Sequence, residues 1–315
     1  MRVFGLPSIG IVGGIAFGCW ALLALVGPAT PVDSHSDQTV TRKVMTHFNR
    51  ADECDDDSES ADDSVEVDGN LEESASTLPV LTLRRKAKLM KQGLKFLQGI
   101  EDYTMTMHKQ EVVKNELLGE QTILLKCRHK PFSVYLVWIT GDTGREVIYV
   151  EGKNNGKMIA HDGGWKARIP AFTLSTDRML AMRDARYPVT TAGFLGLMEN
   201  MLDVHEEDLN RLNFESCELD AGREFDGRPC DVFTTKYQSR SSSPVYRKSV
   251  TFIDKEWNVP LHSQHFEWPQ PGSTLTENEL DQATLIESYS FTEIHFECGL
   301  SDRDFDRNNP DYHFR

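Results

Sequence analysis

Ten histidines and six cysteines are the residues of this chain that could ligate a metal or attack a carbonyl, and their spacing starts neither chemistry. His262 and His265 stand three apart in a stretch that alternates like a strand. Alternation sends them to opposite faces, so they make a poor chelate and read as two surface histidines. His129, His161, His205 and His295 have no neighbour at metal-ligand spacing. The chain contains no Gly-x-Ser-x-Gly elbow, no phosphate loop ending in Gly-Lys-Ser/Thr and no His-Glu-x-x-His pair. Glu293 with Glu297, and Asp302 with Asp304, are carboxylate pairs of the kind used in acid–base catalysis, but such pairs need a cleft to converge in. From these patterns no catalytic residue, metal ligand or cofactor is assigned.

The cysteines point to a compartment more than to a reaction. Cys19 and Cys54 fall in the first 79 residues, which leaves Cys127, Cys217, Cys230 and Cys298 in the remainder. Cys217 and Cys230 bracket one hairpin. A turn centred on Arg223-Glu224 sets them face to face for a disulfide, whereas a turn centred on Asp226-Gly227 puts Cys217 opposite Lys236. Both registers stay open at this point. A redox pair has no Cys-x-x-Cys to support it.

Composition divides the chain in three. Residues 1–32 carry Arg2 and then Ile9–Val26 without a charge, the form of an export signal. Gly27-Pro28-Ala29 offers a cleavage site, while the length of the apolar run also suits an uncleaved membrane anchor. Residues 33–79 hold a net charge of −11, with Asp55-Asp56-Asp57, Asp62-Asp63 and Glu72-Glu73 among serines. That composition predicts a disordered acidic linker, because it cannot bury enough apolar surface to offset chain entropy. Residues 80–315 are nearly balanced, with a net charge of −5, and predict a single folded domain. No basic stripe is evident, so a nucleic-acid partner lacks its electrostatic basis. The expected location is outside the cytoplasm, either free in the periplasm or tethered to the inner membrane.

Hydrophobic spacing supplies the elements. Leu83, Ala87, Leu89, Met90, Leu94, Phe96, Leu97 and Ile100 give amphipathic helix spacing over Leu83–Ile100, with Gly93 and Gly99 as weak points. The period then falls to two. Strands are predicted over Glu101–Val113, Gln121–Cys127, Phe132–Trp138, Glu146–Val150 and Lys157–His161. The middle is read as helical, with a short helix over Thr176–Arg183 and a longer one over Thr190–Val204 capped by Thr190 or Thr191. Strands return over Phe214–Leu219, Cys230–Tyr237, Val245–Ile253, Leu261–Trp268 and Leu285–Phe296. The fold class is α+β: a curved antiparallel sheet, an incompletely closed barrel, covered by an N-terminal helix and a mid-chain helical insert.

Several motifs occur in order along this part. They include Asp102-Tyr103-Thr104, Lys109-Gln110-Glu111, Lys130-Pro131-Phe132-Ser133-Val134-Tyr135, Arg186-Tyr187-Pro188-Val189-Thr190, Gly299-Leu300-Ser301-Asp302 and Asp304-Phe305-Asp306. They resemble domain-of-unknown-function family 1571, a bacterial exported family without assigned activity. More distantly, the plan is similar to the periplasmic lipoprotein carriers of the Lol pathway. That resemblance implies a helix-covered open barrel with an acyl-binding cavity, and a lipid or lipoprotein partner. No carrier residue matches a position here, so no site residue is transferred.

Three functions follow. On a binding reading, Leu136 and Trp138 on one strand face and Phe194, Leu197, Met198 and Met201 on one helix face line an apolar cavity. On a structural reading the same six side chains fill it, and the protein is an envelope scaffold. A hydrolase would need a site assembled from distant residues.

Overall fold

The structure is a computed structural model that describes residues 71–176 and 187–314. The expected signal or anchor at Ile9–Val26, most of the acidic linker and most of the Thr176–Arg183 helix lie outside the described residues. Helix α1 spans Leu71–Gln98 and so begins earlier than the apolar spacing, with Pro79 inside it. Leu83, Met90 and Leu97 recur on one face of α1 and are wholly buried. Each such side chain contributes roughly 1.5–3 kcal/mol by leaving water.

Twelve strands form one antiparallel sheet. The first half supplies β1 (Asp102–Val113), β2 (Glu116–Leu117), β3 (Gln121–Arg128), β4 (Ser133–Trp138), β5 (Glu146–Val150), β6 (Lys157–His161) and β7 (Phe172–Ser175). The second half supplies β8 (Phe214–Phe225), β9 (Arg228–Tyr237), β10 (Tyr246–Asp254), β11 (Pro260–Glu267) and β12 (Leu285–Phe296). Their order across the sheet is β7-β6-β5-β4-β3-β1-β12-β11-β10-β9-β8, with β2 paired to β1. The sheet does not close, since β7 and β8 are edges. Each half is a meander of neighbours, and the two halves join where β1 pairs with β12. The short β2 and β7 carry too little pattern to be read from sequence. Helix α3 (Glu277–Thr284) was also unforeseen, although its capping box, Thr276 with Glu279, is a readable signal.

Helix α2 spans Phe194–Arg211, later at both ends than the predicted Thr190–Val204. Val189–Thr191 forms a short 3-10 turn instead of the cap. The helix starts after Gly193, whose φ of 91° is in the left-handed region, and the Phe194 N–H donates to the Tyr103 hydroxyl at 2.9 Å. That bond satisfies one of the donors every helix start leaves open. The helix passes through Glu206-Glu207-Asp208 without breaking because its buried face turns polar there. His205 and Asp208 face inward while Glu206 and Glu207 face solvent. Helices α1 and α2 pack on each other, and α1 also packs on β8.

The opposite face of β4–β6 is covered by the C-terminal segment. Phe305 and Phe314 pack against Tyr135, Ile148, Val150 and Ile159, and Tyr312 stacks on Tyr135 with ring centroids 4.0 Å apart. Asp102 anchors the start of this strap by accepting the N–H groups of Cys298, Gly299 and Leu300 at 2.6, 3.1 and 2.8 Å. Lys126 bonds Asp304 at 2.8 Å and Arg128 bonds Asp302 at 2.9 Å. The two carboxylates considered as an acid–base pair are therefore clasps for the strap.

Candidate ligand-binding interior

Registry across the sheet sorts the helix-covered face into rows. Met105, Leu125, Leu136, Val147 and Ala160 are opposite one another in turn from β1 to β6. The next row runs Phe291, Met107, Ile123 and Trp138. Helix α2 lays Phe194, Met198, Met201 and Leu202 over this side, and Phe194 meets Phe291 edge to face at 5.1 Å. Of the six residues predicted to line or fill an interior, Leu136, Trp138, Phe194, Met198 and Met201 belong to one buried cluster, and half-buried Leu197 packs at its margin. Phe194 and Met198 are wholly buried. Trp138 is held in place, since its Nε1–H donates to Gln121 at 3.2 Å and the Arg145 guanidinium lies 5.0 Å over its ring. All six methionines among the described residues, Met90, Met105, Met107, Met158, Met198 and Met201, join this cluster.

Toward the other end of the strands the same face becomes polar. One row runs Phe233, Thr251, Ser263, Tyr289 and Lys109 from β9 to β1. The next runs Cys217, Thr235, Ser249, His265, Glu287 and Glu111 from β8 to β1. Lys109, Glu111, Glu287, Ser249, Thr235 and Thr251 are all buried. Glu111 accepts from Lys109 Nζ at 3.0 Å and from the Tyr289 hydroxyl, and Glu287 accepts from the Tyr246 hydroxyl at 2.8 Å. Buried charge persists only when paired in this way.

The two helices add polar groups above these rows. Lys86 of α1 is wholly buried and donates to Thr251 Oγ1 at 3.0 Å. Burial pulls its pKa down to about 8, against a smaller electrostatic pull from nearby Cys217 and Asp208 toward the ammonium. Asp208 accepts from the Tyr237 hydroxyl at 2.8 Å, and burial raises its pKa. His205 is buried with neither ring nitrogen partnered among the described residues, and burial lowers its pKa well below the usual range, so it is neutral.

Sequence reasoning missed this polar end. The signal was present: Lys109 and Glu111 fall in step with Tyr103, Met105 and Met107, and Glu287 falls in step with Tyr289 and Phe291. The two histidines read as surface residues are half-buried instead. His262 bonds Ser290 at 2.8 Å and stacks on Phe225, while His265 lies on the inner row against Tyr246.

The thiols are not poised for chemistry. The hairpin turns at Asp226-Gly227, and irregular pairing between Asp220 and Arg223 puts Cys217 opposite Thr235, not Lys236. Cys230 lies opposite Arg223, so of the two turns left open the one at Asp226-Gly227 forms, and Cys217 and Cys230 are free thiols. Burial pushes Cys127 up to about 12 and Cys230 up to about 11, and it raises Cys217 as well. Such thiols stay protonated and are poor nucleophiles. Among the described residues, no group of three or more His, Cys, Asp or Glu side chains is placed to hold a metal.

A family model described as protein of unknown function (DUF1571) matches residues 100–314. The chain belongs to this family. Its motifs now have places: Lys109 and Glu111 stand in the inner polar rows, and Gly299–Asp306 forms the strap. No curated protein matches the chain. Among solved structures it is similar to the lipoprotein LppX of Mycobacterium tuberculosis, with 11% identity, 71% of this chain and 99% of that chain covered, and a TM-score of 0.39. It is similar to the Pseudomonas aeruginosa MucA/MucB complex structure, with 11% identity, 70% and 60% covered, and a TM-score of 0.40. It is also similar to a domain described as outer membrane lipoprotein-sorting from Vibrio parahaemolyticus, with 12% identity, 72% and 98% covered, and a TM-score of 0.33.

Proposed function

We propose that this protein is an exported lipid-handling module. It takes the acyl part of a lipid or lipoprotein against the apolar rows and the ligand's polar part against the Lys109–Glu111–Glu287 end. The observation that carries this reading is the amphipathic inner face. Met107 on β1 and Phe291 on β12, in one apolar row with Ile123 and Trp138, continue along their strands into buried Lys109, Glu111 and Glu287. A structural protein has little use for burying Lys109, Glu111, Glu287 and Lys86, since apolar residues of similar volume stabilise as well or better. The methionines around Met198 suit an interior that reshapes, because unbranched thioether side chains repack at low cost. The apolar run Ile9–Val26 supports export, and among the described residues no helix is long and apolar enough to cross a membrane.

The wholly buried Phe194 and Met198 favour a second reading, a filled scaffold with no ligand. One experiment decides between the two. Native mass spectrometry of the protein purified from its own envelope should detect a co-purifying lipid, and titration with a fluorescent fatty acid should saturate. Protein that arrives lipid-free and takes up no probe supports the scaffold and overturns the lipid reading. A C-terminal reporter active only after export tests location, and an intact but inactive fusion would reject it.

A further inference from the structure

The outward face of α1 gathers cations that composition hides. Arg84, Lys88, Lys91 and Lys95, with Gln92, rim an open groove of about 380 Å³ between α1 and α2, and Ala87 and Leu209 form its apolar floor. The chain as a whole carries a net charge of −15, so four cations in one groove run against its average. Lys91 meets Glu206 of α2 at 2.9 Å, whereas Arg84, Lys88 and Lys95 have no ion pair among the described residues. Two large apolar side chains stand out on the same helix, Leu78 at 66% and Leu81 at 54% exposure. At 100° per residue they continue the arc occupied by Arg84 and Lys88. The outward face is therefore apolar near its N-terminal end and cationic beyond it, which is the pattern of a helix lying in a membrane interface.

We propose that this face of α1 docks the protein on a bilayer of anionic phospholipid, with Leu78 and Leu81 entering the acyl boundary and Arg84, Lys88, Lys91 and Lys95 meeting headgroup phosphates. Charge complementarity selects this occupant over a neutral surface, and the exposed leucines select a bilayer over a soluble anion. The inference stands apart from the lipid-handling interior, because a filled scaffold could dock by the same helix. Failure of either leaves the other standing.

The test is an amine-labelling footprint on the full-length chain. The protein is exposed to an acetylating reagent with vesicles of phosphatidylglycerol and phosphatidylcholine in equal parts, and separately with pure phosphatidylcholine vesicles. Mass spectrometry reads the rate at each lysine. The expected result is that Lys88 and Lys95 label on the order of tenfold more slowly with the anionic vesicles alone, that high salt restores their rates, and that exposed Lys114 and Lys157 do not change. Equal labelling in both vesicle types overturns the proposal. Protection by inorganic phosphate or by an oligonucleotide without vesicles also overturns it, in favour of a soluble anion or nucleic acid. A chain carrying Arg84→Gln, Lys88→Gln, Lys91→Gln and Lys95→Gln keeps its fold, since all four side chains are exposed. It should lose the difference in vesicle binding between the two compositions. The run Ile9–Val26 is common to both chains and drops out of that comparison. A quadruple variant that still prefers anionic vesicles would reject the assignment.

Discussion

Lys86 of α1 donates a hydrogen bond across 3.0 Å to Thr251 of β10, from a position with no solvent exposure, and so joins the first helix to the far half of the sheet through a buried charge. Burial lowers its pKa from 10.5 to about 8. The unfolded chain therefore holds that proton up to about pH 10.5, while the folded protein gives it up near pH 8. Below pH 8 the buried ammonium costs stability in full, on the order of 3 kcal/mol at about 1.4 kcal/mol per pKa unit. The cost is relieved as pH climbs between the two values. Lys86→Met removes the charge. It should be more stable than the native chain by roughly 1–3 kcal/mol near neutral pH, and the gap should close toward pH 10.5. Urea melts of both chains across that range measure it, and a gap that does not change with pH would refute it.

Gly93 makes α1 fit. A Cβ there would strike the Asn258 carbonyl and the Met198 terminal methyl. Ala is the better helix former by about 1 kcal/mol, but overpacking against backbone costs roughly 1–3 kcal/mol. Asn258 cannot easily yield, because it already sits at a φ of 58°. Gly93→Ala should lower the melting temperature in calorimetry despite its propensity gain. A raised melting temperature would show that the crossing is loose.

Asp102 holds the strap by accepting three backbone N–H groups while nearly fully buried. Asp102→Ala leaves those donors without their acceptor, at a cost of about 3 kcal/mol. The loss should be local first. Trypsin should trim the variant at Arg303 and Arg307 faster than the native chain, before the sheet is cut. Unchanged trimming would mean that the Phe305 and Phe314 packing is sufficient alone.

Much of the sheet was legible because its strands obey one alternation. Glu146–Val150, Lys157–His161 and Leu285–Phe296 begin and end where their patterns do. Three things were not legible, each for a physical reason. Helix α2 buries His205 and Asp208, so its inner stripe leaves the apolar alphabet at the point where hydrophobicity ceases to report burial. The β8–β9 register depends on irregular pairing near Phe214 and Asp220, and hydrophobic spacing carries no signal for such a slip. The polar rows require pairing β1 with β12, partners at opposite ends of the chain, before Glu111 is seen to face Glu287. In contrast, the gathering of Leu136, Trp138, Phe194, Met198 and Met201 needed only two local periodicities, and they meet in one cluster.

The thiols should behave as their burial dictates. Cys298 is exposed, whereas Cys127, Cys217 and Cys230 are buried. Iodoacetamide should modify Cys298 in the native protein and reach the other three only in denaturant. Peptide mapping of protein isolated without reductant should find Cys217 and Cys230 unlinked. A linked pair would mean that the β8–β9 register shifts to bring the two together.

Met198 separates the two readings of the interior. Its side chain is wholly buried among Phe194, Phe291 and the apolar rows, and its terminal methyl reaches the α1 crossing at Gly93. If the interior opens to admit an acyl chain, the space a ligand would take is the space a larger side chain can take instead. Met198→Trp should then abolish uptake of a fluorescent fatty acid while the fold survives, because the indole occupies volume the protein already makes available. If the interior is only a packed core, the same substitution overpacks it and destabilises by roughly 1–3 kcal/mol, with no uptake by the native chain to lose. Two measurements on two chains are enough: probe binding and melting temperature for native protein and for Met198→Trp. Uptake by the native chain, lost in a variant that melts within a degree or two of it, is the outcome the lipid reading requires. A native chain that binds nothing, beside a variant that melts well below it, returns the protein to the scaffold reading.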